Sequence, residues 1–195
     1  MALPRAAVAE RPALALAVNS PLSWFGSDAL AVSAYVGFTV RQAIRINLAR
    51  YENWSDFDEV RSGITTLGES EGPQRSGHFT DVSVGWMYFP RRLWSGSMFE
   101  LGALGRDKDI SLGPSFDSEK VVTTRTTTIA GRALAGWSVL LGGRVFLSAS
   151  FGFSVGYERG SETVEDYSTM TVTRSVGRVD PSLEGFVRIG GALPL

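Results

Sequence analysis

The chain has no cysteine in its 195 residues, which removes disulfides, thiolate metal sites and cysteine nucleophiles together. Net charge is nearly absent as well. The 19 Lys and Arg against 20 Asp and Glu leave −1, so no global field recruits nucleic acid, and no Lys/Arg block supplies a local one. Long apolar runs are missing too. None approaches the roughly 18 residues that a membrane-spanning helix needs, and Arg132 and Arg144 bracket the candidate ALAGWSVLLGG. A helical membrane protein is therefore excluded. A β-barrel is not, because its lipid-facing side uses alternate residues only. Proline is scarce beside glycine, 8 against 22, which points to a strand-rich fold with crowded backbone. No shift in composition marks a boundary, so one domain is expected over residues 12–195.

Residues 1–11 read as a disordered N-terminus. The segment MALPRAAVAE has too short an apolar core for a signal peptide, yet Ala7-Val8-Ala9 before Glu10 has the small-residue spacing of a cleavage site. The expectation is a signal-peptide remnant whose hydrophobic part lies upstream of Met1, with an alanine-rich terminus as the alternative.

The most informative stretch is RVFLSASFGFSVGY, Arg144 to Tyr157. Read by twos, Val145, Leu147, Ala149, Phe151, Phe153, Val155 and Tyr157 share one face. Phe146, Ser148, Ser150, Gly152, Ser154 and Gly156 share the other. This strand exceeds the usual five or six residues, and its small face carries serine and glycine rather than charge. Lipid on one side and a narrow polar interior on the other account for both features.

Seven further alternating stretches are predicted: Pro12–Asn19, Ala29–Val40, Ala43–Tyr51, His78–Phe89, Ser97–Leu104, Thr127–Val139 and Val172–Leu193, the last bent near Asp180-Pro181. Polar loops are expected at Glu52–Gly77, which could carry a short strand at its base, at Gly105–Thr124 and over ERGSETVEDYST. After the first connection the links run short, long, short, long, short, long. In an antiparallel meander this places every short link at one end and every long polar one at the other. Together these features predict an all-β, eight-stranded antiparallel up-and-down transmembrane β-barrel with tight periplasmic turns, large external loops and both termini at the turn end. Phe38, Trp86, Tyr88 and Trp137 then face lipid at the turn end, with Trp94 in a turn, as an interfacial aromatic girdle.

So placed, the chain resembles, over nearly its whole length, the small eight-stranded outer-membrane barrels of the OmpA/OmpX type. Its last residues, Arg188-Ile189-Gly190-Gly191-Ala192-Leu193-Pro194-Leu195, resemble the C-terminal assembly signal of such proteins, polar-x-Gly-x-x-apolar-x-apolar. The departures are Leu195 for a terminal aromatic, and Pro194, which cannot donate a ladder hydrogen bond. The resemblance implies a Gram-negative outer membrane, lipopolysaccharide and phospholipid as partners, delivery to the barrel-assembly machinery through the C-terminal strand, and a monomer. No peptidoglycan-binding domain follows the barrel in this sequence, so an anchoring role of two-domain relatives is not implied.

Inward parity collects Arg45, Asp81, Glu100, Arg132, Glu184 and Arg188, three cations and three anions. Ionised groups in a narrow interior must be paired, so a lumen ion-pair network is expected, with Glu100–Arg132 as the leading pair. A structural plug is favoured because an eight-stranded barrel holds little beyond its own side chains. The alternatives are a small gated pore, and a soluble lipocalin-like barrel binding an apolar ligand, which would turn the apolar face inward.

His78, the only histidine, precedes Thr80 by two residues, a weak resemblance to outer-membrane lipid A deacylases with loop acids such as Glu71 as partner. A solvated loop-end histidine is the simpler reading, and no catalytic residue is assigned. The acid clusters Asp56, Asp58 and Glu59, Asp107 and Asp109, and Glu162, Glu165 and Asp166 match no calcium-loop spacing and are read as solvated charge. No metal or cofactor is therefore expected. Arg41, Arg91, Arg92 and Arg144 gather at the turn side, where anionic headgroups would attract them.

Overall fold

The computed structural model describes residues 13–21, 29–52, 75–113, 120–166 and 171–194. They form eight strands: β1 (Ala13–Pro21), β2 (Ala29–Gly37), β3 (Gln42–Glu52), β4 (Arg75–Tyr88), β5 (Gly96–Leu112), β6 (Lys120–Leu141), β7 (Val145–Asp166) and β8 (Thr171–Pro194). Each pairs antiparallel with the next, and β8 returns to β1 to close the ring.

The pairings fix the dimensions. Val18, Val32, Leu48, Val82, Gly105, Ile129, Tyr157 and Val179 lie in one register row. Val18, however, meets Ile189 on β8, so the ring closes with an offset of ten residues. With a rise of about 3.3 Å and a strand spacing of about 4.8 Å, eight strands at this offset tilt by about 40° on a radius of about 8 Å. Side chains pointing into such a ring meet those from the opposite wall.

The two faces separate by alternation. Leu14, Leu16, Val18, Ile46, Leu48, Val82, Leu101, Ile129, Phe151, Phe153, Leu183 and Ile189 are all exposed on the outside, while Ser33, Arg45, Asn47, Ser83, Glu100, Arg132, Ser148, Ser150 and Arg188 are buried inside. This overturns the lipocalin-like alternative, which requires the reverse. Register is set by the same parity, because a slip of one residue would put guanidinium groups outside and leucines within.

The turn end is tightly built. Gly142 and Gly143 adopt left-handed φ values of 57° and 77°, allowing β6 to reverse into β7 within three residues, closed by Arg144 N–H to the Leu141 carbonyl at 3.3 Å. The β4–β5 connection docks on the β2–β3 connection, Phe89 and Leu93 N–H donating to the Arg41 and Val40 carbonyls at 2.8 and 2.6 Å.

Trp94 corrects the sequence reading. It is not part of the girdle. With φ of 62° it folds the turn back over the barrel mouth and is buried inside. There its ring stacks on Phe146 at 4.5 Å and meets Tyr35 and Phe89 edge-on at 5.0 and 5.5 Å. Ala15, Ala17, Ala43 and Ala192 complete this cluster with Met87 and Met98, the small alanines leaving room for the rings. Phe38, Trp86 and Trp137 are exposed on the outside, and Tyr88 is half-buried against Trp86, their rings stacked at 6.1 Å.

Two predicted loops are largely strand. β5 runs on to Leu112 and β6 begins at Lys120, while β7 runs to Asp166 and β8 starts at Thr171. Above the apolar belt both faces of these strands are polar, so alternation disappears although pairing continues, for example Thr127 with Arg159 and Glu162 with Arg174. The expected bend at Asp180-Pro181 is absent: the β7 register passes through Val155–Pro181 unbroken. Pro181 lies beyond Phe186, the last β8 residue paired with β1, so its missing N–H breaks no described β1 bond. The second strand is shorter than expected, ending at Gly37, with 38–41 as a turn. Most of the Glu52–Gly77 loop, including Asp56, Asp58, Glu59 and Glu71, and the N-terminal segment 1–11 lie outside the described residues; β4 does begin at the loop's base, at Arg75.

Candidate functional site

The lumen charges sit in tiers. At the centre Glu100, from β5, is fully buried and reached by three arginines on three other strands. Arg45 of β3 donates from Nη2 to Oε1 at 2.6 Å and from Nε at 3.2 Å. Arg132 of β6 reaches the same oxygen at 3.0 Å, and Arg188 of β8 reaches Oε2 at 3.2 Å. Neutral acceptors take some of the remaining protons. Ser33 accepts from Arg45 at 3.2 Å, and Ser83 accepts from Arg132 at 2.9 Å. Asn19, Ser33 and Asn47 form a hydrogen-bonded triangle beside them. Phe186 packs under two guanidinium groups, with Arg132 and Arg188 Cζ at 5.4 and 5.1 Å from its centroid. Gly85 makes the arrangement possible: a Cβ there would lie 2.7 Å from Glu100 Oε1.

The next tier toward the loops holds Asp81, Glu184 and Arg106. Arg106 grips Asp81 with two parallel bonds of 2.8 Å, a fork geometry that fixes both side chains, and also reaches Glu184 at 3.3 Å. Ser154 donates to Glu184 at 2.9 Å, and Arg132 lies 3.8 Å from it, linking this tier to the centre. Higher still, Lys108 bridges Glu158 at 3.0 Å and Asp180 at 3.2 Å, while Thr126 and Arg178 each donate to Glu158 at 2.7 Å. Arg174 and Glu162 pair above these.

Of the sequence-assigned lumen residues, the structure brings Arg45, Glu100, Arg132, Arg188 and Glu184 into one connected set, with Asp81 joined through Arg106. Arg106, Lys108, Glu158 and Asp180 were missed. The first three fall in stretches read as loop, and parity extended past Gly105 and Tyr157 would have found them. Asp180 was hidden by the bend expected at Pro181.

The histidine site does not assemble. His78 and Thr80 share the outer face of β4, opposite Asp109 and Asp107 of β5. Asp109, however, pairs with Arg125 at 3.3 Å and Asp107 accepts from Thr127 at 2.7 Å. Among the described residues no hydrogen bond joins His78 to Thr80 or to either aspartate. Nor do three His, Asp or Glu side chains gather among the described residues to hold a metal ion.

No protein-family model matches the chain, and neither does any curated protein sequence. Among solved structures, a major outer membrane protein of Thermus thermophilus matches with TM-score 0.50 at 13% identity, covering 96% of this chain and 100% of that one. The fold is that of the small eight-stranded outer-membrane barrels. The N-terminal β-barrel domain of OprF from Pseudomonas aeruginosa aligns at TM-score 0.45 and 11% identity over 94% of this chain and 98% of that one. Neisserial surface protein A aligns at 0.44 and 16% over 94% and 96%.

Proposed function

We propose that the chain is an integral outer-membrane protein of a Gram-negative bacterium, with both termini in the periplasm, a plugged polar lumen, and a structural or surface-interaction role without catalysis. The observation that carries this reading is the central tier. Three arginines from three strands converge on one buried carboxylate, and the aromatic cluster around Trp94 lies below them at the turn end. A ring of about 8 Å radius filled in this way supports a plug rather than a through-path for solutes. The outward apolar residues meet lipid, and the exposed Arg41, Arg91, Arg92 and Arg144 at the turn end meet phospholipid headgroups. Strands β5 to β8 then rise past the belt as a polar sheet, the surface on which lipopolysaccharide or an external partner would act. In this reading the C-terminal strand β8, which closes the ring on β1, is the element handed to the assembly machinery, and the protein acts as a monomer.

Planar-bilayer recording tests the plug. The reading requires no discrete conductance steps from the purified, refolded protein at moderate voltage. Reproducible steps that disappear on substitution of lumen residues would replace it with the gated pore.

A further inference from the structure

The surface of the turn end carries cations and nothing to balance them. Residues 37–43, 86–99, 136–149 and 186–194 contain Arg41, Arg91, Arg92 and Arg144 on the outside, Arg188 in the lumen, and no Asp or Glu. Arg188 is paired with Glu100. The other four are exposed, and among the described residues none of their guanidinium groups has an ion-pair partner or a hydrogen-bond acceptor. Arg125, on the outer face at the loop end, differs in being paired with Asp109 at 3.3 Å.

The backbone beneath these arginines is fixed. The carbonyl of Arg41 accepts from Phe89 N–H at 2.8 Å, that of Arg92 from Ser95 N–H at 3.2 Å and that of Arg144 from Ala192 N–H at 2.6 Å. Charges presented on a rigid frame lose less freedom on binding than mobile ones. Apolar surface begins at once on the belt side. Val40 precedes Arg41 and Val145 follows Arg144, both exposed. Beyond Arg41 come Val36, Ile44 and Trp86, exposed in one outward row, and beyond Arg144 comes the exposed pair Val139 and Leu147. A ligand that meets both features at once has an anionic head and a hydrocarbon tail. A soluble acid would meet only the arginines.

Resting on the membrane-barrel reading above, we propose that this rim selects anionic phospholipids, of the phosphatidylglycerol class, over zwitterionic ones. A zwitterionic headgroup brings its own ammonium beside the guanidinium, so only the net-negative lipid gains from the uncompensated charge.

Trp86 and Trp137 face lipid at this end and report its composition. The barrel, with Trp24, Trp54 and Trp94 replaced by phenylalanine, is refolded into mixed phosphatidylcholine and phosphatidylglycerol vesicles, and quenching is compared with bromine on the chains of one lipid or the other. Phosphatidylglycerol should occupy the sites beside the tryptophans about fivefold more strongly than phosphatidylcholine, the factor that one arginine near a lipid surface contributes. Raising salt from about 0.1 M to about 1 M should reduce the preference. The variant Arg41→Gln/Arg91→Gln/Arg92→Gln/Arg144→Gln should bring the ratio to about one, while Arg125→Gln should leave it unchanged. Spin-labelled forms of the two lipids read the preference on the unmodified barrel, free of the tryptophan changes. Equal quenching by the two lipids, or a preference that survives the fourfold variant, would overturn the proposal and leave the barrel reading standing. Equal quenching together with soluble polyglutamate held by these arginines would assign the rim to an acidic partner instead. Quenching by neither lipid would overturn the membrane reading itself.

Discussion

Glu100→Gln removes the one carboxylate on which Arg45, Arg132 and Arg188 converge while keeping the side chain's shape. Arg45 keeps its bond to Ser33 and Arg132 keeps its bond to Ser83, but Arg188 loses its only protein acceptor beyond the amide oxygen. Among the described residues the lumen charges, balanced at five cations (Arg45, Arg106, Lys108, Arg132 and Arg188) against five anions (Asp81, Glu100, Glu158, Asp180 and Glu184), then carry one positive charge in excess. Breaking a buried pair by removing one partner costs about 3–5 kcal/mol, and the remaining amide oxygen places this variant near the lower end, at about 3 kcal/mol. The assay is urea unfolding of the barrel refolded into detergent or lipid vesicles, followed by tryptophan fluorescence and by the mobility shift of unboiled samples, at fixed chloride. The double variant Glu100→Gln/Arg188→Met returns the lumen charges to balance, so it should be more stable than the single variant by at least about 1 kcal/mol, an interaction of the size contacting residues show. A cost below about 1 kcal/mol for Glu100→Gln, with no recovery in the double variant, would refute the network as a structural element.

Gly85→Ala drives a methyl into the Glu100 carboxylate and should cost about 1–3 kcal/mol in the same assay, whereas Gly105→Ala meets open space and should be close to neutral. Trp94→Ala removes the ring at the centre of the turn-end cluster and should cost about 3–5 kcal/mol, with a larger loss than Trp137→Ala on the outer face. Leu101→Arg, in the middle of the outer belt, should cost about 2–4 kcal/mol of folding free energy in vesicles, while Thr127→Arg, above the belt, should change it little.

Much of this architecture was legible because two solvents impose one period. Where lipid meets one face and packed side chains the other, each strand alternates, as Val145 to Tyr157 does, and parity alone assigns Arg45 and Glu100 to the same interior. The pattern disappears where both faces are polar, which hid the continuation of β5 beyond Gly105 and, with it, Arg106 and Lys108. Trp94 escaped for another reason. A turn's direction depends on one left-handed residue and on the cavity it fills, and neither leaves a period in the sequence. The hub at Glu100 was reached only as a pair with Arg132, because register across non-adjacent strands follows from the ten-residue offset of the closed ring, and no local pattern carries that number.

The central claim is the orientation of the two faces, and the absence of native cysteine allows one direct measurement. Single cysteines placed along β7 from 148 to 155 would be treated with a bimane label in vesicles containing spin-labelled lipid chains. Positions 149, 151, 153 and 155 should label and be strongly quenched by the lipid, and positions 148, 150, 152 and 154 should resist labelling. Quenching in the opposite phase, or no quenching at any position, would contradict a barrel that turns its apolar face to the membrane.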